Sequence, residues 1–218
     1  AVIGEPISAT PVIPSREYWK GVRQLCEQYS ALLIFDEIIE GFGRTGKMFV
    51  CEHFDIVPDI LVIGKGLGGG VFPLAAMIAR EGFDVAADQA LGHYTHEKNP
   101  AARAAGLATL DIIEAHDLLA KTTALGQHAR DRLASLQKKH PIIHEVRGIG
   151  LVLGLVLRNA DGSRAPEAAE HLLYAALDQG LSFKITMGSI LTLTPPLTIS
   201  QSEMEDALTI LESCFASL

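Results

Sequence analysis

The chain has 218 residues, of which 48% are apolar, enough for one large or two small cores. A formal net charge of −8, with the 18 Lys and Arg residues scattered and forming no basic run, argues against nucleic acid or an anionic membrane as partner. The three cysteines (Cys26, Cys51, Cys214) lie far apart without metal-ligand spacing, an odd and sparse set that fits a reducing compartment, so a cytoplasmic location is expected.

The chain opens Ala-Val-Ile-Gly-Glu-Pro, already inside a strand and without an initiator Met, and reads as a fragment. Residues 1–4 read as a buried strand end closed by Glu5-Pro6, with Glu5 taken as an ordinary loop acid. A loop over 7–14 leads to Ser15, which can cap a helix running to Tyr29. Tyr18, Val22, Leu25, Cys26 and Tyr29 form its expected core-facing stripe. The apolar runs 32–35 and 60–63 read as buried strands. One ends on Asp36; the other leads to Lys65, set among glycines.

Strand, helix, strand makes a right-handed parallel unit, and ligands of open α/β sheets bind beyond the carboxyl ends of strands. Asp36 and Lys65 would then face one cleft. An ion pair satisfies that arrangement. So does a pyridoxal phosphate site, which needs a lysine for covalent attachment and a carboxylate at the pyridinium nitrogen. A third reading rests on Gly64-x-Gly66-x-x-Gly69, a dinucleotide fingerprint with Asp84 about 20 residues further on. It requires a helix to open at those glycines, whereas Gly70 and Pro73 break any helix there and 72–79 reads as a strand. A nucleotide phosphate loop is excluded: no Ser or Thr follows Lys65, and Asp59 stands where the first Gly belongs.

Residues 100–139 are helical, with a break at His116-Asp117 that marks a boundary between domains 1–116 and 117–218. Val146-Arg147-Gly148-Ile149-Gly150 reads as a structural turn before a strand over 151–157, too short an apolar run to span a bilayer. A helix over 165–179 stops at Gly180. Short strands follow near 182–185 and 190–193. Ser200 and Glu203 form a capping box for a last helix with Met204, Leu208, Leu211 and Phe215 on one face. His93-x-x-His96 is poor evidence for zinc, and no metal is expected.

Three blocks fit together. Asp36-Glu37-Ile38-Ile39 is followed by Gly41-Phe42-Gly43-Arg44-Thr45-Gly46, then by Pro58-Asp59-Ile60, which leads into Gly64-Lys65-Gly66-Leu67-Gly68-Gly69-Gly70. In order, spacing and identity this resembles the class III (omega) aminotransferases of fold type I, and the resemblance runs through nearly the whole chain. It implies an α/β fold made of part of the large-domain sheet plus a small C-terminal α/β domain, with pyridoxal 5'-phosphate as cofactor. It further implies that Asp36 pairs with the pyridinium nitrogen and that Lys65 carries the internal aldimine. Ile38 would pack on a ring face. Ile39 stands where Gln often contacts the ring hydroxyl, a contact it cannot make. Thr95, in Gly92-His93-Tyr94-Thr95-His96, would reach across a homodimer with shared active sites to the partner's cofactor phosphate. The substrates implied are a small amine or amino acid donor and a keto acid acceptor; a decarboxylase, racemase or aminomutase on the same scaffold, or an inactive fragment, are the alternatives. Arg44 and the Val146-Arg147-Gly148 element are read as structural. Many members place an Arg before Pro195-Pro196-Leu197 to grip an α-carboxylate; here Thr192 stands there, and a hydroxyl cannot replace a bidentate guanidinium. The loop after Glu5 offers only Ser8 and Thr10 where some members place a Glu that pairs with that Arg.

Overall fold

A computed structural model describes residues 1–86, 88–89, 92, 94–97 and 99–218. The chain divides into two compact units. The first comprises Ala1–Ile7, Pro14–Gly43 and Lys47–Asp117; the second comprises Ser8–Ile13, Arg44–Gly46 and Leu118–Leu218.

In the first unit a four-stranded sheet runs in the order β1 (Val2–Gly4), β2 (Leu33–Asp36), β3 (Ile60–Ile63), β4 (Ala76–Ala79). The first three strands are parallel and β4 is antiparallel to β3. Leu33 and Phe35 of β2 and Leu61 and Ile63 of β3 are buried, the period-2 pattern of a strand with one covered face. β1 departs from expectation: Val2 and Ile3 are exposed rather than buried.

Helix α1 (Arg16–Gln28) begins where Ser15 accepts a hydrogen bond from the Tyr18 N–H at 3.1 Å. Its buried face is not the expected stripe. Of the expected stripe Cys26 is buried and Val22 half-buried, but Tyr18, Leu25 and Tyr29 are exposed, and Trp19, outside the stripe, is buried. The indole decides this. Trp19 donates from Nε1 to the Pro6 carbonyl at 2.9 Å and stands edge-on to Phe35, ring centres 4.7 Å apart, satisfying its polar atom while burying the largest side chain of the helix.

Asp59 fastens the foot of this layer. Its carboxylate accepts from the Leu33 amide at 2.7 Å and from Arg23 and Arg80 at 2.8 Å each, joining β2, α1 and the end of β4. β4 is shorter than the strand expected over 72–79. At the glycines there is only a single 3-10 turn, Lys65–Gly68, closed by Gly69 at φ +65. No helix opens there, which removes the dinucleotide reading. Helix α2 (Pro100–Ala115), capped by the Asn99 side chain at the Ala101 amide (3.0 Å), packs behind this turn. A Cβ on its Gly106 would lie 2.8 Å from Leu74 and 3.5 Å from the Leu67 carbonyl.

The second unit holds α3 (Leu118–Lys139), β5 (Ile143–Ile149), β6 (Val152–Leu157), α4 (Pro166–Asp178), β7 (Lys184–Thr186), β8 (Ile190–Leu193) and α5 (Gln201–Ala216). Its sheet runs β5-β6-β8-β7, antiparallel throughout. All of β6 is buried, and Leu153, Leu155, Leu172, Leu211 and Phe215 centre the core. Met204, Leu208, Leu211 and Phe215 are buried on α5, and the Ser200–Glu203 capping box is present in full. Val146-Arg147-Gly148 belongs to strand β5, not to a turn; the reversal falls at Gly150–Leu151, between the paired Ile149 and Val152, with Gly150 at φ +53. No helix among the described residues is long and apolar enough to cross a membrane.

Candidate active site

β2 and β3 are parallel neighbours, and Asp36 pairs in register with Val62. Their carboxyl ends therefore emerge side by side. Asp36 closes β2, and Lys65 follows β3 three residues beyond Val62. The two tip loops touch. A Cβ on Gly64 would lie 3.4 Å from Ile38 Cγ2, and one on Gly66 would lie 3.7 Å from Phe42 Cβ.

That second loop is pinned at both ends. The Glu37 N–H donates to the Val62 carbonyl at 2.9 Å, and the buried Glu37 carboxylate accepts from the Val50 and Cys51 amides at 2.6 and 2.8 Å. Burial pushes the Glu37 carboxyl up and those two amides oppose it. Burial, with Glu37 alongside, pushes the Cys51 thiol up to about 12, so Cys51 offers no thiolate at neutral pH. The Gly41 N–H returns to the Glu37 carbonyl at 3.1 Å, and a Cβ at Gly41 would come within 2.8 Å of that oxygen. Asp36 itself accepts from the Ile38 N–H at 3.1 Å. Lys65 is exposed and sits at φ +39, a left-handed conformation unusual for a residue with a Cβ and typical of functional loops.

The structure thus brings Asp36, Ile38 and Lys65 onto two loops in contact. Ile39 is adjacent and partly exposed. Thr95 lies in an exposed turn ahead of α2 and makes no hydrogen bond to that pair among the described residues. His93 lies outside the described residues. Arg44 belongs to the second unit, where its guanidinium donates to the Pro195 carbonyl and its own carbonyl accepts from the Leu151 amide at 3.0 Å. Thr192 is buried in β8, its hydroxyl 2.8 Å from that of Thr186; the Ser8 and Thr10 hydroxyls bond each other at 2.7 Å. No group of three or more His, Cys, Asp or Glu that could hold a metal ion occurs among the described residues.

Sequence reading passed over Glu40. It is fully buried, at 0% exposure, and neither carboxylate oxygen has a hydrogen-bond partner among the described residues. Burial, then the Glu5 carboxylate, push its carboxyl up to about 8; its own amide and Lys65 pull the other way, and Asp36 adds to the rise. The only signal in the sequence is an acid held between the strand tip and a glycine, which by itself looks like an ordinary loop residue.

A lysine for covalent attachment, a carboxylate on the neighbouring strand tip and an apolar side chain against the glycine before the lysine fit the needs of pyridoxal phosphate. The fold agrees. The crystal structure of acetylornithine aminotransferase from Elizabethkingia anophelis superposes with a TM-score of 0.90 at 32% identity, over 100% of this chain and 57% of that one. The class is that of the fold-type-I pyridoxal-phosphate transferases, and pyridoxal 5'-phosphate is its cofactor. The class-III aminotransferase model matches residues 1–215, and the chain belongs to that family. An (R)-1-hydroxy-2-aminoethylphosphonate ammonia-lyase of Vibrio splendidus is 45% identical, over 100% of this chain and 46% of its own length. An acetylornithine aminotransferase of Caldanaerobacter subterraneus subsp. tengcongensis is 37% identical, over 93% of this chain and 49% of its own. The chain spans about half the length of the curated relatives it matches.

Proposed function

We propose that this chain supplies the catalytic lysine and the ring-anchoring carboxylate of a pyridoxal-phosphate-dependent aminotransferase. Residues 1–116 serve as the C-terminal part of the cofactor-binding domain and 117–218 as the small domain. The observation that carries the reading is the placement of Asp36 and Lys65 at the carboxyl ends of adjacent parallel strands, on loops that pack together.

Bound pyridoxal phosphate supplies an electron sink for the negative charge that develops on the substrate carbon. The residues of this chain do the rest. Lys65 Nζ would hold the cofactor covalently and be freed by the donor's amino group. The freed amine then takes a proton from the substrate carbon and returns it to the carbon accepting it, acting as base and then acid. Asp36 would be the side chain that holds the ring nitrogen. Ile38 would pack against a ring face. Ile39 lies beside it without a polar contact. Thr95 contacts the phosphate of the partner subunit in a homodimer with shared active sites, and the location is cytoplasmic.

The substrate follows from a departure. Thr192 stands at the family's carboxylate-gripping position, and its hydroxyl is engaged by Thr186. A neutral hydroxyl favours an amine or β-amino acid donor over an α-amino acid, with a keto acid as acceptor. The Vibrio relative supports this direction, since the aminoethylphosphonate of its name is an amine without an α-carboxylate. That relative also supports a second reading, in which the same Lys65 and Asp36 serve ammonia elimination.

Lys65→Ala in the full-length enzyme is expected to abolish the visible absorbance of covalently held cofactor together with turnover, and persistent turnover would refute the assignment. Asp36→Ala is expected to retain cofactor and lose most of the rate. Product analysis with a labelled amine donor separates transfer from elimination: transfer passes the label to a keto acid, elimination releases it as ammonia.

A further inference from the structure

The second unit holds a pocket of about 240 Å³ lined by three arginines, Arg147, Arg158 and Arg164, together with Thr10, Val12 and Ser189. Apolar residues of β6 and β8 complete the wall, and no carboxylate lines it among the described residues. Every one of these residues belongs to the same unit. Topology gathers the arginines. Arg147 stands on β5 opposite Gly154 of β6. Arg158 and Arg164 flank the loop that follows β6 and face each other across an isolated antiparallel bridge. Residues directly opposite on antiparallel strands project to one side, and like charges so placed destabilise the pairing.

Nearby acids do not relieve that repulsion. Arg158 donates to the Gly162 carbonyl at 2.7 Å and Arg164 to the Met187 carbonyl at 3.2 Å, and neither forms an ion pair among the described residues. Glu145 is taken by Arg147 at 2.6 Å, and Asp161 at the loop tip accepts from the Ser163 N–H at 2.9 Å. Two positive charges are left over, with most of their N–H donors unused. The walls are fixed by the protein itself. The Ser8 N–H donates to the Val12 carbonyl at 3.1 Å and the Val12 N–H to the Ser8 hydroxyl at 3.2 Å, which sets the turn bearing Thr10. The Asn159 N–H donates to the Ser163 carbonyl at 2.9 Å and its side-chain amide to the Arg164 carbonyl at 2.9 Å, which sets the loop between the two arginines. Ser189 is buried, and its hydroxyl makes no hydrogen bond among the described residues.

We propose that this pocket binds a phosphate-type dianion, either inorganic phosphate or the phosphate end of a small phosphorylated molecule. Two guanidinium forks set opposite each other match the several oxygens of a tetrahedral oxyanion, and its two charges match the two left over. A carboxylate brings one charge and leaves one guanidinium uncompensated. The volume lies below the roughly 300–1,000 Å³ of most small-molecule sites, as suits a charged group rather than a large ligand. The proposal is independent of the roles given to Lys65 and Asp36.

Phenylglyoxal modification of the full-length holoenzyme, its cofactor already bound, tests it at fixed pH and ionic strength, read by mass at the peptides carrying Arg158 and Arg164. Inorganic phosphate is expected to slow modification of both arginines saturably, and acetate to protect neither. Arg164→Gln is expected to raise the phosphate concentration that half-protects Arg158 about tenfold, the loss of one charge-assisted contact. Methyl phosphate separates the two sources: protection equal to that by phosphate assigns the end of a larger molecule, and protection by inorganic phosphate alone assigns the free ion. Absence of saturable protection by either, protection by acetate as strong as by phosphate, or a half-protecting concentration unmoved in Arg164→Gln overturns the proposal. Arg164 is exposed, so its substitution leaves the core intact, and protection in the parent protein decides the matter even without the variant.

Discussion

Glu40 makes its mark at the scale of the residue, on stability. Its folded carboxyl holds a proton up to about 8, whereas the unfolded chain releases it near 4.5. Between those values the folded state binds more protons than the unfolded one, so stability falls as pH rises through this window and levels off above it. The raised Glu37 contributes with the same sign. The lowered carboxyls, such as Asp59, act oppositely: their contribution is present at neutral pH and is lost in acid. Glu40→Gln is therefore expected to flatten, without abolishing, the loss of urea midpoint between about pH 5 and about pH 8. A slope identical to the parent's would mean that Glu40 is ionised in the fold. Gly126 makes the opposite kind of demand, since any Cβ on this α3 residue would lie 2.1 Å from the Gly150 carbonyl oxygen. Backbone cannot retreat as a side-chain end can, so Gly126→Ala is expected to destabilise the second unit by about 2 kcal/mol or more in equilibrium unfolding.

Among the elements, α1 shows how burial chooses a face. The capping Ser15 and the helix length follow from sequence, but the stripe through Tyr18 and Leu25 points outward, and Trp19 anchors the layer by its contact with Phe35 and its bond to Pro6. Trp19→Ala is expected to cost about 3–5 kcal/mol, and Tyr18→Ala to stay within about 0.5 kcal/mol, measured by denaturant unfolding. Equal effects would contradict the assigned face. The lesson is physical. Helical periodicity allows two stripes one residue apart, and the choice depends on which ring meets a cavity and which donor meets a carbonyl. The same holds for Val146-Arg147-Gly148, whose glycine signal correctly marks a reversal two residues later, while the strand around it depends on pairing with β6.

For the whole molecule, the chain forms two compact units and spans about half the length of the curated relatives it matches. A reach of Thr95 across a subunit boundary, as proposed, would make cofactor retention concentration-dependent. Diluting the full-length holoenzyme below its dimer dissociation constant is expected to release cofactor. Thr95→Ala is expected to weaken binding about tenfold, the worth of one lost hydrogen bond to a charged group. Retention independent of dilution and of Thr95 would assign the phosphate to residues of one subunit.

Sequence alone fixed the strand–helix–strand order, the caps at Ser15 and Ser200, the break at His116-Asp117 and the pair of charged residues ending two strands. Those features are local, or rest on motifs whose residues lie close together along the chain. Tertiary structure decided what distance in sequence conceals: that the loops bearing Asp36 and Lys65 pack on each other through Ile38 and Phe42, that the indole of Trp19 claims the core, and that Glu40 is sealed from water with no hydrogen-bond partner among the described residues. Burial and electrostatic environment are properties of the assembled neighbours, so a solitary acid in a glycine loop acquires its meaning only once strands far apart along the chain are set side by side.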